Sequence, residues 1–191
     1  MRAPLLLALL FFIFLAAACS SDKPEMPDKI ISQYTGILPK VMENDSGIYH
    51  GILLGMTPEE VKQSVSEKDS LGQEEKNYLQ FEGFLAPFKE YSYDCNFDEK
   101  GLKDVTIDIF LHDEQTGDSL YEQFMSYFTQ RYGPPVETLP LLIWETSEGK
   151  RPAKIILEDE TPQYMYGKLT ITFVDKSFDP KPPTPDSMLL K

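Results

Sequence analysis

Two cysteines and two histidines are all that 191 residues offer to disulfide, thiol or imidazole chemistry. Cys19 and Cys95 are too few for a cysteine-based metal centre. His50 and His112 show neither HxH nor HExxH spacing, so both are read as loop histidines and no metal site is expected. GxSxG, SxxK, a Gly-rich phosphate loop and a Cys–His pairing are all missing, and these are the usual carriers of nucleophilic and phosphoryl chemistry. Bases are scarce as well: 18 Lys and Arg stand against 31 Asp and Glu, a formal net charge of −13. A chain so acidic repels phosphates, which argues against nucleic acid and anionic headgroups as partners of its surface. The expectation is a non-enzyme without cofactor.

The one long apolar run lies at the start. Arg2 supplies a positive charge, Leu5 to Leu15 are almost unbroken apolar residues, and Ala16, Ala17 and Ala18 lead into Cys19. A run this short, flanked in this way, has the pattern of an export signal, since a membrane-spanning helix needs about 20 apolar residues. The Ala16-Ala17-Ala18-Cys19 stretch resembles a bacterial lipobox, with Leu15 one place further from the cysteine than the family usually has it. The resemblance implies that residues 1–18 are a signal peptide and that Cys19 carries diacylglycerol as the first mature residue. Two or more acyl chains anchor a protein where one would not. With Cys19 acylated, Cys95 has no partner for an intrachain disulfide. Loss of residues 1–18 removes one base, Arg2, and no acid, taking the charge from −13 to −14, so the lipid must supply the membrane attachment. Ser20 and Ser21 favour the outer membrane of a cell envelope over the inner.

Residues 19–46 contain Pro24, Pro27, Gly36 and Pro39 with little periodicity, and read as the lipidated N-terminus and a flexible tether of about 27 residues spanning on the order of 30 Å. Residues 179–191, with Pro180, Pro182, Pro183 and Pro185, read as a disordered tail. A single domain is left at 47–178. Thr57-Pro-Glu-Glu60 combines a capping box with proline at the first helical position, and Gly72 is expected to end that helix. A helical turn is possible over 74–79. Tyr91, Tyr93, Cys95 and Phe97 alternate with polar residues, as do Val105, Ile107, Ile109 and Leu111 after a turn at 98–101, which predicts a hairpin. A second helix is expected from Asp118 or Ser119 to Gly133, followed by strands over 141–145, 154–158 and 168–174. The predicted class is α+β: two helices on one face of a mainly antiparallel sheet of about five strands, in the order α-β-β-α-β-β-β.

Gly51-Ile-Leu-Leu-Gly-Met-Thr-Pro-Glu-Glu-Val61, Phe97-Asp-Glu-Lys-Gly-Leu102 and Tyr132-Gly-Pro134 followed by a Trp strand resemble phrases of small export lipoproteins. That group includes SmpA/OmlA (BamE) and the beta-lactamase-inhibitor-like domains. The resemblance implies a small α+β lipoprotein that binds proteins rather than catalyses.

Asp94, Asp98, Glu99, Asp104 and Asp108 lack the order of an EF-hand, and are read as a solvated strand face rather than a calcium site. Cys95, in phase with Tyr91, Tyr93 and Phe97, reads as a small buried hydrophobe. Ser187, in Asp186-Ser187-Met188, matches a glycosylation triplet of one group of envelope bacteria. The functional candidates are aromatic: Tyr78, Phe81, Phe84, Phe88, Tyr164 and Tyr166 fall in or beside expected loops. Exposed, they would form a binding surface; folded back, they would be core. Two functions follow as expectations: a non-catalytic, membrane-tethered module that binds another envelope protein or assists assembly, or a periplasmic inhibitor or small-ligand binder working through these aromatics.

Overall fold

A computed structural model describes residues 30–87, 89–136, 141–164 and 166–177. Cys19, Phe88 and Ser187 lie outside the described residues. After a 3-10 turn at Ile30–Gln33, the elements are α1 (Leu38–Met42), α2 (Pro58–Ser64), β1 (Ser70–Glu75), β2 (Tyr78–Ala86), β3 (Lys89–Asp98), β4 (Gly101–Phe110), α3 (Glu114–Tyr132), β5 (Leu142–Thr146), β6 (Ala153–Asp159), α4 (Thr161–Tyr164) and β7 (Lys168–Asp175). The strands form one sheet, β1-β2-β3-β4-β7-β6-β5, antiparallel at every pairing.

The fold mixes helices with sheet, but the expected five-strand arrangement in the order α-β-β-α-β-β-β is overturned by a seven-strand sheet with additional short helices. The two unforeseen strands carry weak signals. All six residues of β1 are exposed, so burial imposes no alternation on them. In β2 the inward series is Leu79, Phe81, Gly83 and Leu85, and the glycine breaks the apolar rhythm. Gly83 is nonetheless required there, because a Cβ on it would stand 2.1 Å from the Tyr91 ring. What looked like the end of the first helix and a helical turn is therefore a hairpin.

The capping box at Thr57 is formed: its Oγ1 accepts from Glu60 N–H at 3.2 Å, and its N–H donates to Glu60 Oε2 at 2.7 Å. The helix it opens ends at Ser64, short of Gly72. The long helix α3 begins earlier than expected. Asp113, not Ser119, caps it, accepting from Thr116 N–H at 2.8 Å. Gly117 hides that start, since glycine weakens a helical pattern. It is needed for close approach: a Cβ there would lie 3.0 Å from Thr161 Oγ1 and 3.1 Å from Gly167 Cα. Gly133, at φ 86°, ends the helix as the sequence indicates.

Leu79, Phe81, Tyr91, Tyr93, Cys95, Val105, Ile107, Ile109, Leu169, Ile171, Phe173, Ile155, Leu157 and Trp144 share the covered face of the sheet, in one core with the helices. From α3, Phe128 packs on Trp144 (5.4 Å between ring centroids) and Phe173 (6.1 Å). The strands further from α3 are covered by the N-terminal segment. Ile30, Ile31, Leu38, Val41, Met42, Ile48, Tyr49 and Ile52 are buried, with Tyr49 5.0 Å from Tyr93. The tether expectation therefore does not hold for residues 30–46, whose apolar residues are core. Asp45 fastens this segment: its carboxylate accepts from Ile31 N–H at 3.1 Å and from Tyr127 OH at 2.9 Å. Arg131 donates to Tyr127 OH, the Gly47 carbonyl and Glu148 beside it.

Removing the Asp45 carboxylate leaves the Tyr127 hydroxyl and the Ile31 amide short of an acceptor. Asp45→Ala is expected to cost about 1–3 kcal/mol in urea unfolding and to speed protease cleavage within residues 30–46. Unchanged stability and cleavage would mean that the segment is not fastened there.

Candidate functional site

Strand alternation places one set of side chains away from the core. Along β2 these are Tyr78, Gln80, Glu82 and Phe84; along β3, Glu90, Ser92, Asp94 and Asn96; along β4, Asp104, Thr106, Asp108 and Phe110. Apart from Phe84, Phe110 and a small apolar cluster of Ile143, Ile156 and Val174 on the far strands, this open face is polar and rich in carboxylates. Four of the five carboxylates weighed against calcium are bound to neighbouring side chains. Asp94 accepts from Tyr78 OH at 2.7 Å and Gln80 at 3.1 Å, Asp104 from Asn96 at 2.7 Å, Asp108 from Thr170 at 2.8 Å, and Asp98 from Arg151 at 3.1 Å. Among the described residues no three of His, Cys, Asp and Glu converge as metal ligands would.

The aromatic candidates divide. Phe81 is 3 % exposed and stacks on Tyr93 at 5.1 Å between centroids, so it belongs to the core. Tyr78 is half-buried at the far end of β2, its hydroxyl pushed up to about 12 by burial and by the Asp94 carboxylate. Phe84, at 73 % exposure, together with Tyr164 and Tyr166, is open to solvent. The register runs Phe84↔Glu90↔Phe110↔Lys168 across β2, β3, β4 and β7, so these residues form one row. Lys168 Nζ lies 5.7 Å from the Phe110 ring centroid and 4.8 Å from that of Tyr164, which is 5.6 Å from Tyr166. Phe84, Tyr164 and Tyr166 are thus brought to one end of the open face, joined by Phe110, which the sequence reading passed over. Its signal was available: Phe110 falls in the polar phase of β4, with Thr106 and Asp108, where an aromatic gains nothing from the core.

Between Phe84 and Phe110 lies a cleft of about 460 Å³, also lined by Lys68, Ser70, Glu82, Gly83, Glu90, Tyr91 and Ser92. Lys68 is held by Glu43 at 3.1 Å. Burial would lower the Lys168 ammonium, but Glu160 and Asp108 outweigh it and raise it, so Lys168 is a neutralised cation.

One wall of the cleft is set from below. Asp69, between Lys68 and Ser70, turns a fully buried carboxylate inward, where it accepts from Tyr91 OH at 2.5 Å and Tyr93 OH at 2.9 Å. His50 Nδ1 stands 3.5 Å from the same carboxylate, at the outer limit of hydrogen-bond distance. His50 Nε2–H donates to the Val41 carbonyl at 2.6 Å, since a carbonyl only accepts. Although in a loop, His50 is therefore a buried structural residue, held at φ 50° and stacked on Tyr49 at 4.0 Å. His112, by contrast, is exposed. Cys95 is fully buried, and burial pushes its thiol up. No family model, curated protein or solved structure matches this chain.

Burial alone would raise the Asp69 carboxyl, but His50, Tyr91 and Tyr93 together hold it below the usual carboxylate range. Its contribution to stability is therefore present above about pH 4, the unfolded carboxyl value, and fades as pH falls through the lower folded value. Asp69→Asn should lose about 1–3 kcal/mol near neutral pH, and the gap to the parent chain should shrink below about pH 4. Thermal unfolding across that range checks this, and a gap independent of pH would refute it.

Proposed function

We propose that this chain is a lipid-anchored protein of a bacterial envelope, acting as a non-catalytic module that binds another envelope protein. The carrying observation is the exposed aromatic row at one end of an otherwise polar sheet face. Phe84 presents 73 % of its surface to solvent, Phe110 lies two strands along the same row, and Tyr164, with Tyr166 against it, meets Lys168 at the far end of that row. Clustered exposed aromatics are the usual anchors of protein interfaces, because each covers a large area at small entropic cost. The likeness of Ala16–Cys19 to a lipobox, and of Gly51–Val61 to export lipoproteins of the SmpA/OmlA (BamE) group, supports the anchored half of this reading.

A revised tether fits the same reading. Residues 30–46 pack on the domain, so the fold begins within about ten residues of Cys19 in sequence. The domain then works close to its membrane, on a partner that reaches the same layer.

A photo-crosslinking amino acid at position 84 of the full chain, in intact envelopes, should yield a discrete adduct with another protein. The same label at Met125, exposed on α3, should not. Cys19→Ala should leave the membrane fraction and lose the adduct. Absence of an adduct at 84, or equal adducts at both positions, would contradict the reading.

A further inference from the structure

We propose that the cleft between Phe84 and Phe110 receives an arginine or lysine side chain from a basic segment of the partner protein. This rests on the protein-binding reading and adds the chemistry of the partner. The cleft is about 460 Å³, within the range of about 300–1,000 Å³ typical of binding pockets. Phe84, Tyr91 and Phe110 are its aromatic lining, and its charges are uneven. Glu82 and Glu90 line it, both exposed, and neither forms an ion pair with a described base. The single base in the lining, Lys68, already has Glu43 as its counter-ion.

Aromatic faces beside free carboxylates suit a cation with a long apolar stem, whose head sits over a ring and pairs with the carboxylates. The same surface already holds one such contact within the chain: Lys168 reaches over Phe110 and Tyr164, with Asp108 and Glu160 as its counter-ions. The vacant carboxylates repeat that chemistry two strands away at Glu90 and three at Glu82. Charge complementarity selects the occupant further. Asp94, Asp104 and Asp108 continue the acidic face, and the whole chain carries −13. A second copy of this chain or an anionic lipid surface is repelled; a basic segment is attracted.

The test uses the mature chain, residues 19–191 with Cys19→Ser, which carries neither the apolar signal nor the lipid, and three labelled peptides of equal length: alternating Arg-Ser, Gln-Ser and Glu-Ser. Fluorescence anisotropy should show binding of the Arg-Ser peptide alone, weakened by salt. Glu82→Gln with Glu90→Gln, and separately Phe84→Ala, should weaken it about tenfold. Asp118→Asn with Glu122→Gln removes the same charge from exposed positions on α3 and should leave binding nearly unchanged. All five positions are exposed, so folding is preserved. Equal loss in the α3 pair would reduce the effect to diffuse charge and overturn the proposal. So would no binding of the Arg-Ser peptide, or retention of the chain on vesicles of anionic lipid. If the peptide fails while the position-84 adduct forms in envelopes, the partner is not basic and the protein-binding reading stands; if both fail, that reading falls too.

Discussion

A wide antiparallel sheet with one apolar face needs a cover as wide as itself. Seven strands at about 4.8 Å spacing span roughly 30 Å, whereas one helix with its side chains covers about 10 Å. Among the described residues the one long helix, α3, packs mainly on β5, β6 and β7. The remaining aromatic core around Tyr93, Tyr91 and Phe81 would be open to water without a second cover. Residues 30–56 provide it, which is why Asp45, Tyr49 and His50, far apart from the strands in sequence, hold polar and apolar contacts that bind the N-terminal segment down.

The same constraint explains the buried polar groups. Irregular chain laid over a sheet brings unsatisfied backbone with it, and each group must find a partner. Asp45 takes the Ile31 amide, His50 takes the Val41 carbonyl, and Arg131 takes the Gly47 carbonyl. Asp69 gathers two tyrosine hydroxyls that β3 would otherwise bury unpaired. These contacts also place Lys68 and Ser70 against Glu82 and Phe84, so the shape of the cleft on the open side follows from how the covered side is tied together.

Where burial imposed a period, the sequence was readable. The alternation from Tyr91 to Phe97 and from Val105 to Ile109, the Thr57 capping box and the Gly133 stop all stand in the structure. It was unreadable where a long-range contact replaced a local rule. An edge strand with no buried residue shows no pattern, Gly83 and Gly117 look like breakers but serve close approach, and Gly36 and Pro39 disguise the helical spacing of Ile30, Ile31, Tyr34, Ile37, Leu38, Val41 and Met42. The site was half legible: Phe84, Tyr164 and Tyr166 were named as surface candidates, but as loop residues. Register, which no single segment contains, joins Phe84 to Phe110 and Lys168 across four strands.

Everything proposed for this molecule depends on the open face being its working surface. Hydroxyl-radical footprinting of the full chain, purified and in its native envelope, measures that directly. Phe84, Tyr164 and Tyr166 should label strongly in the purified chain and be protected in the envelope, while Met125 on α3 should label alike in both. Equal labelling of Phe84, Tyr164 and Tyr166 in the two settings would contradict the account.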